Sequence, residues 1–278
     1  MRLPADIRAA LVDTGSRPGG EVDLAETALV LASIARPGVP IDPYRRHLES
    51  VVDEVRDYAG GEDGGDLQLR IEALSQVIIK RYGYGAGDEV FDDLDAANLM
   101  RVIDSRRGLP VALGIIFIHA ANCLGWSAVG VDFPGQFLVR LDHLGERAVI
   151  DPFAGGEPLT AQDLRAMLKA MSGNQAELTP DTYRDMTARD VLLRLQDNIK
   201  SRRLREDQLE PALEVIETML LFAPGAAYLW RECGVLQSRL DRIPDAVTSL
   251  EEYIRLSGAD EARYNATILL QELRGRLS

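Results

Sequence analysis

Few side chains in this sequence could do covalent chemistry. The chain has two thiols, Cys123 and Cys233, and three imidazoles, His47, His119 and His143. Cys123 follows His119 by four residues, so on a helix the two share a face. A thiol beside a base is a candidate nucleophile pair. This pair would sit near a helix C-terminus, where the helix dipole disfavours a thiolate. The favoured reading is therefore a core cysteine beside a hydrogen-bonded core histidine, with Cys233 as packing inside a helix. The histidines show no zinc-ligand spacing, and His143 falls in the turn Asp142-His143-Leu144-Gly145. The acidic run Asp88, Glu89, Asp92, Asp93, Asp95 lacks the alternating ligands and terminal Glu of a calcium loop. It reads as a solvated loop in which Asp95 caps a helix. Gly83-Tyr84-Gly85-Ala86-Gly87-Asp88 lacks the Gly-Lys-Ser/Thr ending of a phosphate loop and follows a helix rather than a strand. No cofactor or metal is expected.

Three short motifs follow in order: Arg106-Arg107-Gly108-Leu109-Pro110, Phe133-Pro134-Gly135-Gln136-Phe137-Leu138-Val139-Arg140, and Asp151-Pro152-Phe153-Ala154-Gly155-Gly156. Arg106 and Arg107 could grip an acidic group through paired donors, or serve as surface ion-pair partners, which is the plainer role. Gln136 could bond a ligand, or make a structural hydrogen bond, Asp151 included. Asp151 could offer a carboxylate to a ligand, or cap the turn it opens, and the turn role is favoured.

These residues need elements to position them. Leu24 to Ala35 reads as an apolar helix stopped by Pro37, and Asp42-Pro43 opens a second, with Asp as its cap, running to about Tyr58. Glycines 60, 61, 64 and 65 break the chain before a third helix from Leu67 to Arg81. Asp95 would cap a helix through Ile103, and Pro110 opens a long apolar helix. After Gly125 the pattern changes to β-like runs at Trp126–Asp132, Gln136–Leu141 and Arg147–Asp151, so the helix should feed an antiparallel sheet of at least three strands. From Thr160 the chain reads as helical to its end, with Thr187 and Asp190 as a capping arrangement.

That helical stretch repeats. Ala212 and Ala246, Ile216 and Leu250, and Pro224 and Gly258 are each 34 residues apart. Gly234 sits where the first helix of a unit needs a small residue, and Lys200 takes the equivalent place one unit earlier. A 34-residue period with these features resembles tetratricopeptide repeats. Two such units bury little core alone, so they should pack on other helices.

The ordered motifs resemble the SirB-type transglutaminase-like family, whose members also carry C-terminal tetratricopeptide repeats. The resemblance implies an α+β fold: a papain/transglutaminase-like domain over residues 1–178, with helices packed on a small antiparallel sheet, then an all-α repeat region over residues 179–278. It also implies a cysteine at the start of the buried helix, a histidine on a strand and an aspartate on the next strand. A helix N-terminus lowers a thiol pKa, histidine takes the proton and the carboxylate orients the imidazole. Here the helix start reads Pro110, Val111, Ala112, and the histidine place in FPG-x-F holds Gln136. Neither can supply its role, so Asp151 alone remains of the three. The expected cleft residues are Arg107, Pro110, Ala112, Gln136 and Asp151, as remnants.

A net charge of −13 disfavours nucleic acid and anionic membranes as partners. The longest apolar stretch, Leu109 to Cys123, is too short to span a bilayer. Two cysteines and no visible leader suit a reducing, cytoplasmic setting. The expected function is a non-catalytic interaction or regulatory protein that binds a protein or peptide through its repeats. The alternative is a cysteine-dependent hydrolase or acyltransferase using Cys123 with His119.

Overall fold

The computed structural model describes residues 3–61, 63–87, 90–258 and 261–277. Two compact units divide the chain: residues 18–195 form one, and residues 1–17 with 196–278 form the other. The boundary read from the sequence, 178/179, lies ahead of this division, which falls inside a helix.

The first unit begins with α2 (Leu24–Ile34), capped by the Asp23 carboxylate on Glu26 N–H. α1 (Ala5–Ser16) belongs to the other unit. α3 runs Asp42–Tyr58 with Pro43 in its first turn, so Asp42 is the first helical residue rather than the cap. α4 (Leu67–Leu74) does not continue to Arg81 as a regular helix, because Ser75–Arg81 winds as a π-helix. α5 (Leu99–Ser105) is capped by Asn98, whose side chain accepts from Arg101 N–H. Asp95 does not cap it; Asp93 caps a short 3₁₀ turn, Leu94–Ala97, just before. Asp88 and Glu89 lie outside the described residues.

α6 (Pro110–Cys123) is buried over every residue from Val111 to Ile118. It leads into β1 (Ser127–Phe133), β2 (Gln136–His143), β3 (Glu146–Ile150) and β4 (Pro158–Leu159). α7 (Ala161–Ser172) opens on a capping box between Thr160 and Asp163. β5 (Arg184–Met186) then pairs with β1, giving an antiparallel sheet of order β4-β3-β2-β1-β5. The stretch after Thr160 is thus not wholly helical. β5 has three residues and no apolar alternation, so it carries no strand signal of its own.

The two tight hairpins follow from turn chemistry. Pro134-Gly135 links β1 to β2 with Gly135 at φ +72°, and Leu144-Gly145 links β2 to β3 with both residues at positive φ. Alternation then sorts the faces. Val131, Phe133, Leu138 and Val149 pack with Leu168 of α7 on one side. On the other side Phe137 lies against α6, where a Cβ added to Gly114 would come within 2.2 Å of its ring. A Cβ at Gly130 would also crowd that ring, at 2.9 Å. These two glycines make the slot for Phe137.

The second unit holds α8 (Ala188–Arg205, its N-terminal part in the first unit), α9 (Leu209–Phe222), α10 (Ala227–Arg239), α11 (Ile243–Leu256) and α12 (Glu261–Arg276). Thr187 and Asp190 cap α8 reciprocally. The 34-residue period is physical: Ala212, Ile216, Ala246 and Leu250 are all fully buried. Gly234 lets α10 close on α11, since a Cβ there would sit 2.8 Å from Leu250 Cγ. Lys200, at the matching place in α8, turns its amine to Asp197 at 2.6 Å and Glu232 at 2.7 Å. α1 packs on α9, with Gly15 so near that a Cβ would meet the Leu221 carbonyl oxygen at 2.3 Å. The helix that completes the repeats therefore comes from the other end of the chain.

Candidate functional site

The expected cleft centres on the start of α6. Pro110 occupies its first turn and is half-buried, while Val111 and Ala112 are buried. None carries a nucleophile. Gln136 pairs across the hairpin with Phe133, so alternation directs it to the α7 face, opposite to Phe137. Its backbone carbonyl accepts from Arg194 Nη2 at 2.8 Å. Asp151 is buried just beyond β3. Its Oδ1 accepts from the N–H groups of Phe153 (2.9 Å) and Ala154 (3.3 Å). Its carbonyl accepts from Gly156 N–H at 2.8 Å. Burial pushes its pKa up, against the pull of those two N–H groups. One oxygen of the carboxylate is thus engaged by its own turn.

The motifs have structural work of this kind. Gly156, at φ +76°, accepts at its carbonyl from Ser75 Oγ at 2.9 Å, and a Cβ there would strike that oxygen at 2.6 Å. The Asp151-to-Gly156 loop is thereby pinned to the start of the π-helix. Arg106 turns inward while Arg107 stays exposed, and among the described residues neither makes an ion pair. Arg106, at φ +61°, stacks over Tyr84 and Tyr82, 4.8 and 5.5 Å to the ring centres. It donates to His47 Nε2 at 2.7 Å and to the Tyr84 hydroxyl. Arg107 donates to the Gly83 carbonyl at 3.0 Å and lies along the backbone at Gly87. The sequence reading missed His47 as a member of this network; its link to Tyr84 and Arg106 spans 37 and 59 residues of chain.

Cys123 and His119 correct the expectation of a core pair. Cys123 is exposed and His119 only half-buried, with the sulfur 3.8 Å from both ring nitrogens. Both line a groove of about 560 Å³ at the C-terminal end of α6. Burial, then Asp23, raises the thiol pKa against the opposing pull of Arg56. Burial lowers that of His119. A neutral thiol beside a neutral imidazole is favoured over a thiolate–imidazolium pair. Cys233 is buried, as expected. Among the described residues no group of three metal-ligating side chains converges, and no helix is long and apolar enough to cross a membrane.

A buried helix on an antiparallel sheet, joined to 34-residue helical pairs, defines the class: a transglutaminase-like α+β domain with tetratricopeptide repeats. The chain belongs to the transglutaminase-like superfamily, which matches residues 42–197, and a tetratricopeptide repeat family matches residues 199–271. Its relatives include a UPF0162 protein of Xylella fastidiosa strain Temecula1, 28% identical over 100% of this chain and 95% of the relative. Protein SirB1 of Salmonella typhimurium is 32% identical over 83% of this chain and 85% of its own. Among solved structures, menin superposes with a TM-score of 0.45 at 11% identity, covering 93% of this chain and 72% of menin's.

Proposed function

We propose that this protein is a non-catalytic interaction or regulatory scaffold, acting in the cytoplasm, in which the repeat region binds a protein partner. The observation that carries this reading is the first turn of α6, where Pro110, Val111 and Ala112 offer no nucleophile. The neighbouring motif residues support it: Asp151 Oδ1 is engaged by the backbone of its own turn, and Gln136 is directed to the α7 face. The repeats supply the binding element. On α10, Tyr228 and Val235 are seven residues apart on one helical face, and each is 39% exposed.

The test uses the full chain as bait in photo-crosslinking from cells. Tyr228→Glu with Val235→Glu should remove the crosslinked partners while the melting temperature holds. An unchanged set of crosslinked proteins would oppose a repeat-borne interface. A second reading, a hydrolase or acyltransferase built on Cys123 and His119, draws on the exposure of that thiol in a groove. The upward shift of its pKa weighs against it.

A further inference from the structure

The groove at the C-terminal end of α6 runs along an unfilled part of the sheet edge. β5 pairs with β1 only at Gly130, Val131 and Asp132. The chain then turns away through Thr187 into α8. One rung further along β1, at Ala128, a side chain stands in for a strand. Ala128 N–H donates to Asn122 Oδ1 at 3.1 Å, and Asn122 Nδ2 donates to the Ala128 carbonyl at 3.2 Å. A carboxamide has the same donor and acceptor as a peptide unit, so it satisfies an edge that would otherwise recruit another chain. Asn122 itself is exposed.

We propose that this groove binds an extended, basic segment of a partner protein, which adds to β1 beside β5 and takes over the two bonds that Asn122 makes. The stretch of β1 beyond β5, Ser127–Val129, is about 10 Å long at ~3.3 Å per residue, and Ala128 is the rung it turns to this edge. The groove volume, about 560 Å³, suits a segment of that size. Its apolar floor includes Leu24, Ile118 and Val191, which suits the inward side chains of an alternating strand. Charge selects the occupant. Glu21 and Asp23 line the groove, and Asp23 acts electrostatically on both His119 and Cys123. Arg56 is the cation felt at Cys123, and Asp53 already pairs with it. This site lies in the first unit and is independent of binding by the repeats. Main-chain pairing gives affinity, and the acids choose basic sequences.

Cys123 reports on the groove, because it is the exposed thiol and Cys233 is buried. The full chain is alkylated with iodoacetamide and modification at Cys123 is followed by mass spectrometry. The probe is the capped pentapeptide Val-Lys-Val-Lys-Val. Its controls are the same peptide N-methylated at alternate amides and the peptide Val-Glu-Val-Glu-Val. The lysine peptide should slow alkylation saturably, by about fivefold or more, and neither control should. Asn122→Ala should lower the half-saturating concentration several-fold, since the competing amide is gone. Equal protection by the N-methylated peptide, or none by the lysine peptide at millimolar concentration, would overturn the proposal. The comparison of peptides on the unmodified chain decides this even where Asn122→Ala folds poorly.

Discussion

His47 is held neutral by its surroundings. Burial, and then the Arg106 guanidinium, bring its pKa down from 6.5 to about 4, against a smaller upward pull from Glu54. As pH falls, the unfolded chain takes up this proton before the folded one does. The contribution of His47 is therefore complete above about pH 6.5 and is lost between 6.5 and 4. Partial solvation limits the loss to roughly 1–2 kcal/mol. His47→Gln keeps an acceptor for Arg106 but cannot titrate. Melting the two proteins at pH 7 and pH 5 should show a smaller drop for the variant, and equal drops would remove His47 from the account. Nothing near His47 in sequence announces this, because its partners Tyr84 and Arg106 arrive from distant segments. The exposure of Cys123 was hidden for a related reason. It lies at the end of an almost wholly apolar helix, and apolar periodicity cannot show where that helix emerges from its cover. Asp151 was readable, since an Asp-Pro turn with glycines behind it needs its carboxylate for the backbone.

At the scale of elements, close approaches at glycine fix the packing. Gly114→Ala would drive a methyl into the Phe137 ring, with Cβ 2.2 Å from Cε1. Gly15→Ala would set one 2.3 Å from the backbone oxygen of Leu221. Each should destabilise its own unit by about 1–3 kcal/mol, since neither neighbour can retreat without moving a ring or a helix. Gly275→Ala, inside α12 with open space around its Cβ, controls for the general effect of replacing a helical glycine. Denaturant titration compares the three, and a loss at Gly114 or Gly15 no greater than at Gly275 would show that the approaches do not matter. The long helices and the three main strands were legible because periodicity and Gly/Pro punctuation agree there. β4 and β5 were not, being two and three residues long and defined by their neighbours. The π-helix was equally hidden, since a run as short as Ser75–Arg81 is too brief for its wider turn to set a periodicity of its own. The role of α1 could not be read at all, because its partner α9 lies far along the chain.

For the whole molecule, the order of modules was visible in motif and period. A contiguous reading cannot show that the first helix joins residues 196–278. A charge of −13 bears on partners, favouring basic protein segments over nucleic acid. We propose that the fold persists while acyl-transfer chemistry at the start of α6 does not. The most direct measurement is ammonia release, with intact mass, on the full chain given glutamine-containing and amide peptides across pH 6–9. No release above the buffer rate and no acyl adduct are expected. Saturable release, with an adduct on the chain, would contradict it.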